Sequence, residues 1–202
     1  MLILAFDTAT DVATSALVRD GEILGERASR AARVLADAEE LLAAVALAPG
    51  DVDALAVGTG PGSYTGLRIG LVTARALALS LGLPVAGVST LAALVAGSPG
   101  AVAVLDARRS EVFTLVGDVP HVCRPEELRV DPGVRYVGGG AVRYRAVIEA
   151  AGGEVPDDGS GLHVPWARHH AALARDFGPA EAAEPIYLRA PDAEFLRSAK
   201  KL

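Results

Sequence analysis

The segment 58–70, GTGPGSYTGLRIG, restricts this chain more than any other stretch. It joins the buried-type strand VDALAVG to a long apolar run, so it has to turn the chain sharply and start a helix. A phosphate-binding P-loop needs a lysine here, and the chain has lysine only at Lys200 and Lys201. Ser63 stands where a dinucleotide fingerprint needs its third glycine, and Pro61 where a nucleophile elbow needs its first. What remains is geometry. Gly60 and Gly62 permit positive φ, Pro61 fixes its own φ between them, and Ser63 is a natural N-cap for a helix predicted from Tyr64 to Leu81.

That helix is apolar nearly all round. Leu67, Leu71, Ala74, Ala78 and Leu81 form one stripe, while Ile69, Val72, Ala76 and Leu79 cover much of the rest. A helix with so little wet surface is covered either by its own chain or by a partner. A neighbouring helix is predicted over 32–47, with Val34, Leu35, Ala38, Leu41, Leu42 and Val45 on one face. Gly66 and Gly70, spaced i, i+4, favour a partner, because they would admit another helix backbone. The candidate partner contacts are Val34, Leu35, Ala38, Leu41 and Leu42 on the first helix, and Tyr64, Leu67, Arg68, Leu71 and Arg75 on the second.

The rest of the chain divides into two similar α/β halves. Each opens with an apolar strand ending in aspartate, Asp7 or Asp106, and returns as a second strand. Each later runs a strand into glycines and a helix, at 58–60 and at 138–140. Gly97-Ser98-Pro99-Gly100 marks the boundary, giving an N-terminal lobe 1–98 and a shorter C-terminal lobe 99–202. Two such lobes facing a cleft are the architecture of the actin-like, Hsp70-like and sugar-kinase ATPases, a duplicated ribonuclease H-like fold.

In those proteins the aspartate hairpins grip phosphates, which calls for glycine in the turns so that backbone N–H groups converge. Here the turns are Asp7-Thr8-Ala9-Thr10-Asp11 and Asp106-Ala107-Arg108-Arg109-Ser110, and neither contains glycine. Asp7 and Thr8 retain the chemistry to orient a hydrated Mg²⁺, but Asp11 adds a second negative charge and the two arginines are bulky. The hairpins therefore read as structural turns. That weakens the rival reading, an autonomous ATPase or small-molecule kinase. A hydrolase built on Ser63 lacks any nearby sequence sign of a histidine–acid partnership.

Composition removes other classes. The net charge of −6 and pI near 5.2 argue against a broad nucleic-acid surface. The single Cys123 excludes an internal disulfide and a cysteine-based zinc cluster. His169 and His170 are adjacent on a predicted helix and point apart, so no shared metal site is expected. The N-terminus lacks a basic start, and no apolar run reaches the roughly 20 residues a bilayer needs. A cytoplasmic setting without membrane contact is expected.

The wording GTGPGSYTGLRIG, with LAFDTAT, GVSTLAAL, LDARRSEVF and PIYLR in the same order, closely resembles the TsaB (YeaZ) family. The resemblance implies an actin-like fold without a complete catalytic site. It implies a part in threonylcarbamoylation of adenosine 37 in tRNA, as a scaffold or activator that pairs with the paralogue TsaD through the two N-lobe helices. TsaE, a P-loop ATPase, joins the assembly, the chain homodimerises when alone through the same face, and tRNA is met only indirectly. No cofactor is expected to be tightly bound; ATP or ADP enters only in the assembled complex, with Asp7, Thr8, Gly60, Gly62 and Ser63 as nucleotide-facing candidates. The His-x-x-x-His metal motif of TsaD-like catalysts is missing from the first long helix, and no residue is expected to be catalytic. One departure concerns Arg30-Ala31, which stand where relatives often have histidine and a small polar residue.

Overall fold

The computed structural model describes residues 1–188. Strands β1 (Leu2–Asp7), β2 (Ala13–Arg19) and β3 (Glu22–Ser29) form an antiparallel meander. β4 (Ala54–Gly60) lies parallel to β1, and β5 (Val85–Ser89) parallel to β4, giving the order β3-β2-β1-β4-β5. Both faces of this sheet are covered, so β1 and β4 are buried along their whole length instead of alternating with polar residues. On one face Leu4, Phe6, Leu55 and Val57 pack against α1 (Val34–Ala44) and α2 (Tyr64–Leu81). On the other, the smaller Ala5, Ala16, Ala56 and Ala86 let α6 (Ala167–Leu173) approach closely through Ala167 and Ala171.

The second lobe repeats the plan in reduced form, divided between a three-stranded and a two-stranded sheet. β6 (Val102–Ala103) and β7 (Leu105–Arg108) are separated only by Val104. β8 (Glu111–Val116) and β9 (Val119–Cys123) continue antiparallel from β7, and β10 (Tyr136–Val137) runs parallel to β6. The order therefore matches β3-β2-β1-β4 of the first lobe, with α4 (Gly139–Arg143) and α5 (Arg145–Ala150) following β10 as α2 follows β4. Between β9 and β10 only a short 3-10 turn at Pro125–Glu127 stands where the first lobe has α1.

Packing crosses the 98/99 boundary in both directions. α3 (Thr90–Gly97) buries Leu91 and Leu94 among Leu105, Phe113 and Val137 of the second lobe, while α6 from the second half lies on the first-lobe sheet. The segment expected to close the chain at 184–189 falls partly outside the described residues. Its described part is not a strand, though the Ile186 N–H donates to the Thr59 carbonyl at 2.8 Å.

The glycine turn behaves as a helix start. Gly60 has φ +88°, the Ser63 hydroxyl accepts from the Gly66 N–H at 3.2 Å, and left-handed Gly82 ends α2 after Leu81. Gly62, also expected at positive φ, is not there; a Cβ on it would lie 2.3 Å from the Ala9 carbonyl oxygen, so close approach is its purpose. Gly66 and Gly70 require the same explanation. A Cβ at Gly66 would stand 2.0 Å from the Thr8 oxygen, and one at Gly70 2.4 Å from Thr8 Oγ1. These small residues seat the chain's own first hairpin and not a partner helix.

The expected partner face needs a matching correction. Val34, Ala38, Leu41, Leu42, Leu67 and Leu71 are buried in the chain's own core, because α1 and α2 turn those stripes onto the sheet. Each buried leucine contributes about 1.5–3 kcal/mol there. The outward side of α2 carries other residues: Val72 is 63% exposed and Leu79 88%, with Arg68 and Arg75 alongside. Gly66→Ala is expected to destabilise the protein by about 1–3 kcal/mol in urea unfolding. Gly50→Ala, at a position where a Cβ meets nothing within 4 Å, is the near-neutral comparison.

Candidate functional site

The two lobes enclose a cleft of about 550 Å³. The β1–β2 turn lines it with Ala9, Thr10, Asp11 and Val12, and the start of α2 with Gly62, Ser63, Tyr64 and Thr65. The second lobe adds Asp106, Arg108 and Phe113, and the late segments His163, Ile186 and Tyr187. Of the five nucleotide-facing candidates, Gly62 and Ser63 line this cleft; Asp7, Thr8 and Gly60 do not.

Asp7 is turned away from the cleft. It is 1% exposed, and its carboxylate is engaged on both oxygens. Oδ1 accepts the Ala9 N–H at 2.6 Å, while Oδ2 accepts the Thr90 hydroxyl at 2.6 Å and lies 2.8 Å from His170 Nε2. His170 is itself fully buried, and its Nδ1 lies 3.3 Å from the Trp166 carbonyl oxygen. Gly58 makes room, since a Cβ there would be 2.3 Å from Asp7 Cγ. Burial pushes the Asp7 carboxyl upward, but the neighbouring His170 and the hydrogen bonds from Thr90 and Ala9 outweigh it and hold the group below the usual carboxylate range. Thr8 is also buried, and its hydroxyl donates to the Gly66 carbonyl at 2.7 Å. Metal or phosphate contact by these two side chains would require the hairpin to come apart.

The second aspartate hairpin is occupied as well. Asp106 accepts the Arg108 N–H at 2.9 Å and Arg108 Nη1 at 3.1 Å, with Arg143 Nη1 3.4 Å away. Beside it, His163 Nδ1 accepts the Gly138 N–H at 3.1 Å and Nε2 lies 3.1 Å from the Pro156 carbonyl, which places the proton on Nε2. The Ser63 hydroxyl caps α2, and both of these buried histidines are engaged elsewhere, so no Ser–His pair forms among the described residues. Nor do the described residues hold a group of three or more His, Cys, Asp or Glu suited to a metal ion. Their helices include none long and apolar enough to cross a membrane.

The surface candidates divide differently. Tyr64 is half-buried at the cleft edge, its ring centre 5.1 Å from that of Tyr187 and 4.1 Å from the Arg68 guanidinium. Arg75 Nη2 donates to the Ala183 carbonyl at 3.3 Å, and Leu35 is 48% exposed. Sequence reasoning missed His170 as the partner of Asp7; the only local signal was Gly58, whose missing side chain is the seat of that carboxylate.

Asp7→Asn removes a buried carboxylate that accepts hydrogen bonds from Ala9 and Thr90, and is expected to cost about 1.5–3 kcal/mol in stability. Because the folded-state value of Asp7 is depressed, its contribution is present above its unfolded value near pH 4 and is lost as pH falls through the lower folded-state value. The gap between wild type and variant, measured by urea unfolding across pH, is therefore widest near neutrality and narrows in acid.

Comparison with known proteins agrees with this geometry. A family model described as "TsaD: tRNA N6-adenosine threonylcarbamoyltransferase" matches residues 10–123, more than half of the chain. The structure of YeaZ from Pseudomonas aeruginosa superposes with a TM-score of 0.77 at 29% identity, covering 93% of this chain and 99% of that one. Component A of the (R)-2-hydroxyglutaryl-CoA dehydratase of Acidaminococcus fermentans, at 12% identity, shares the fold with a TM-score of 0.53 over 91% of this chain and 99% of its own. No curated protein matches the chain. The fold is actin-like, and the chain belongs to the TsaD tRNA N6-adenosine threonylcarbamoyltransferase family, as a member of its TsaB (YeaZ) type.

Proposed function

We propose that this chain is a non-catalytic scaffold or activator subunit for threonylcarbamoylation of adenosine 37 in tRNA. It binds the TsaD paralogue as a heterodimer in the cytoplasm, with the TsaE ATPase joining the assembly, and pairs with itself when TsaD is absent. Family membership supports the role in tRNA modification. The observation that carries the scaffold reading is the outer side of α2, where Val72 and Leu79 are 63% and 88% exposed. Two large apolar side chains two helical turns apart, on a helix whose inner stripe is already in the core, form a contact surface for another protein.

The state of the two hairpins supports the absence of independent chemistry. Asp7 is buried against Thr90 and His170, and Asp106 at the cleft is paired with Arg108 and Arg143, which supports a structural use of both carboxylates. Any ATP or ADP is held in the assembled complex, where TsaD supplies further groups. The net charge of −6 supports meeting tRNA through the complex.

Val72→Glu and Leu79→Glu, each placing a charge on an exposed position, are expected to leave the monomer folded and to abolish co-purification with TsaD. In a purified system with TsaD, TsaE and the adenylate-forming enzyme, tRNA modification should fall with them by at least tenfold, about 1.4 kcal/mol of association. Full association by both variants would place the interface elsewhere. Modification that is equally fast without this chain would overturn the activator role. Leu71→Glu is expected to unfold the protein outright, because that side chain lies in the core.

A further inference from the structure

An ion pair spans the cleft. Arg108 Nη2 lies 2.9 and 3.3 Å from the two carboxylate oxygens of Asp11, joining the β7–β8 turn to the β1–β2 turn across 97 positions of sequence. Both residues line the cleft. Arg108 does not reach Asp11 by chance of rotamer. The Asp106 carboxylate holds its backbone N–H at 2.9 Å and its Nη1 at 3.1 Å, leaving Nη2 directed at Asp11. The backbone is bent to the same end: Arg108, Arg109 and Ser110 have φ of 62°, 52° and 57°, three successive non-glycine residues in the left-handed region. Such a tip normally uses Asn-Gly, and strain of this kind persists where the surroundings over-determine it.

We propose that Arg108–Asp11 is a strap between the lobes that sets access to the cleft, with Asp106 as its positioning residue. Other contacts between the two halves, among them the apolar packing of α3 and α6, the Asp7–His170 contact and the Arg168–Glu26 ion pair, stay in place when the strap opens. The strap is weak by construction. Asp11 and Arg108 are 84% and 56% exposed at the side chain, so water and salt compete for both charges. It opens and closes readily, unlike the buried Asp7–His170 contact a few residues before it in the chain.

The test is amide hydrogen exchange on the full chain for Asp11→Asn, Arg108→Gln, the double variant and Arg108→Lys. The expected result is exchange two- to about fivefold faster in both turns for each single variant, the ceiling for an exposed pair. The double variant is no faster than either single, and Arg108→Lys restores part of the protection. Salt of about 0.5 M reproduces the acceleration in wild type and adds little to the double variant. Binding of the apolar dye 8-anilinonaphthalene-1-sulfonate should rise in parallel as the cleft opens. Unchanged exchange in the single variants, or effects that add in the double variant, would overturn the proposal. Neither outcome depends on TsaD, so failure here leaves the scaffold role intact.

Discussion

A carboxylate at the end of the first strand organises the first lobe and its junction with the second. Asp7 is ionised in a site with almost no solvent, which is tolerable only because three elements bring partners to it: the turn after β1, the first residue of α3 and the middle of α6. Since α3 packs on the second-lobe sheet and α6 on the first, the same contact fixes how the crossing helices meet. Gly58 on β4 is part of this arrangement, because any side chain there would expel the carboxylate.

From that constraint the character of the cleft follows. With Asp7 drawn inward, the cleft meets Asp11 instead, and Asp11 meets Arg108. Charges that line it are balanced within the protein, and apolar groups such as Val12, Phe113 and Ile186 supply much of the remaining wall. The chain has kept the two-lobe geometry while its charged turns hold the protein together. The outer side of α2 stays exposed, with Val72 and Leu79 on it. Its inner side is closed by core packing, and its first turn is held by Thr8, Tyr187 and the Ser63 cap.

Much of the fold was legible in the sequence. Tyr64–Leu81, Thr90–Gly97 and the first-lobe strands follow from period and punctuation, since Ser63, Gly82 and Ser89 mark local boundaries that act at short range. The duplication was readable from the paired aspartates and glycine turns. β9 was not, because VPHVC is short, interrupted by Pro120, and becomes a strand only by pairing with β8. The site was less legible. Leu67 and Leu71 are the right kind of residue for an interface, and periodicity alone cannot say which of two apolar stripes on one helix faces the sheet. Gly66 and Gly70 have the small-residue spacing that suits a partner helix, but the space beside them is taken by Thr8.

By itself, the sequence determined what depends on neighbours in the chain: where helices start and stop, which strands are apolar throughout, that the unit is doubled, and which family its motifs resemble. Tertiary structure alone decided the partner of Asp7, the outward side of α2 and the pairing of Asp11 with Arg108. Each of those joins groups dozens to more than 160 positions apart, and such a contact is set by how layers stack and by which small residues let them approach. No local pattern carries that information, since the same aspartate, leucine or glycine serves a ligand, a partner or the core according to what the fold brings opposite it.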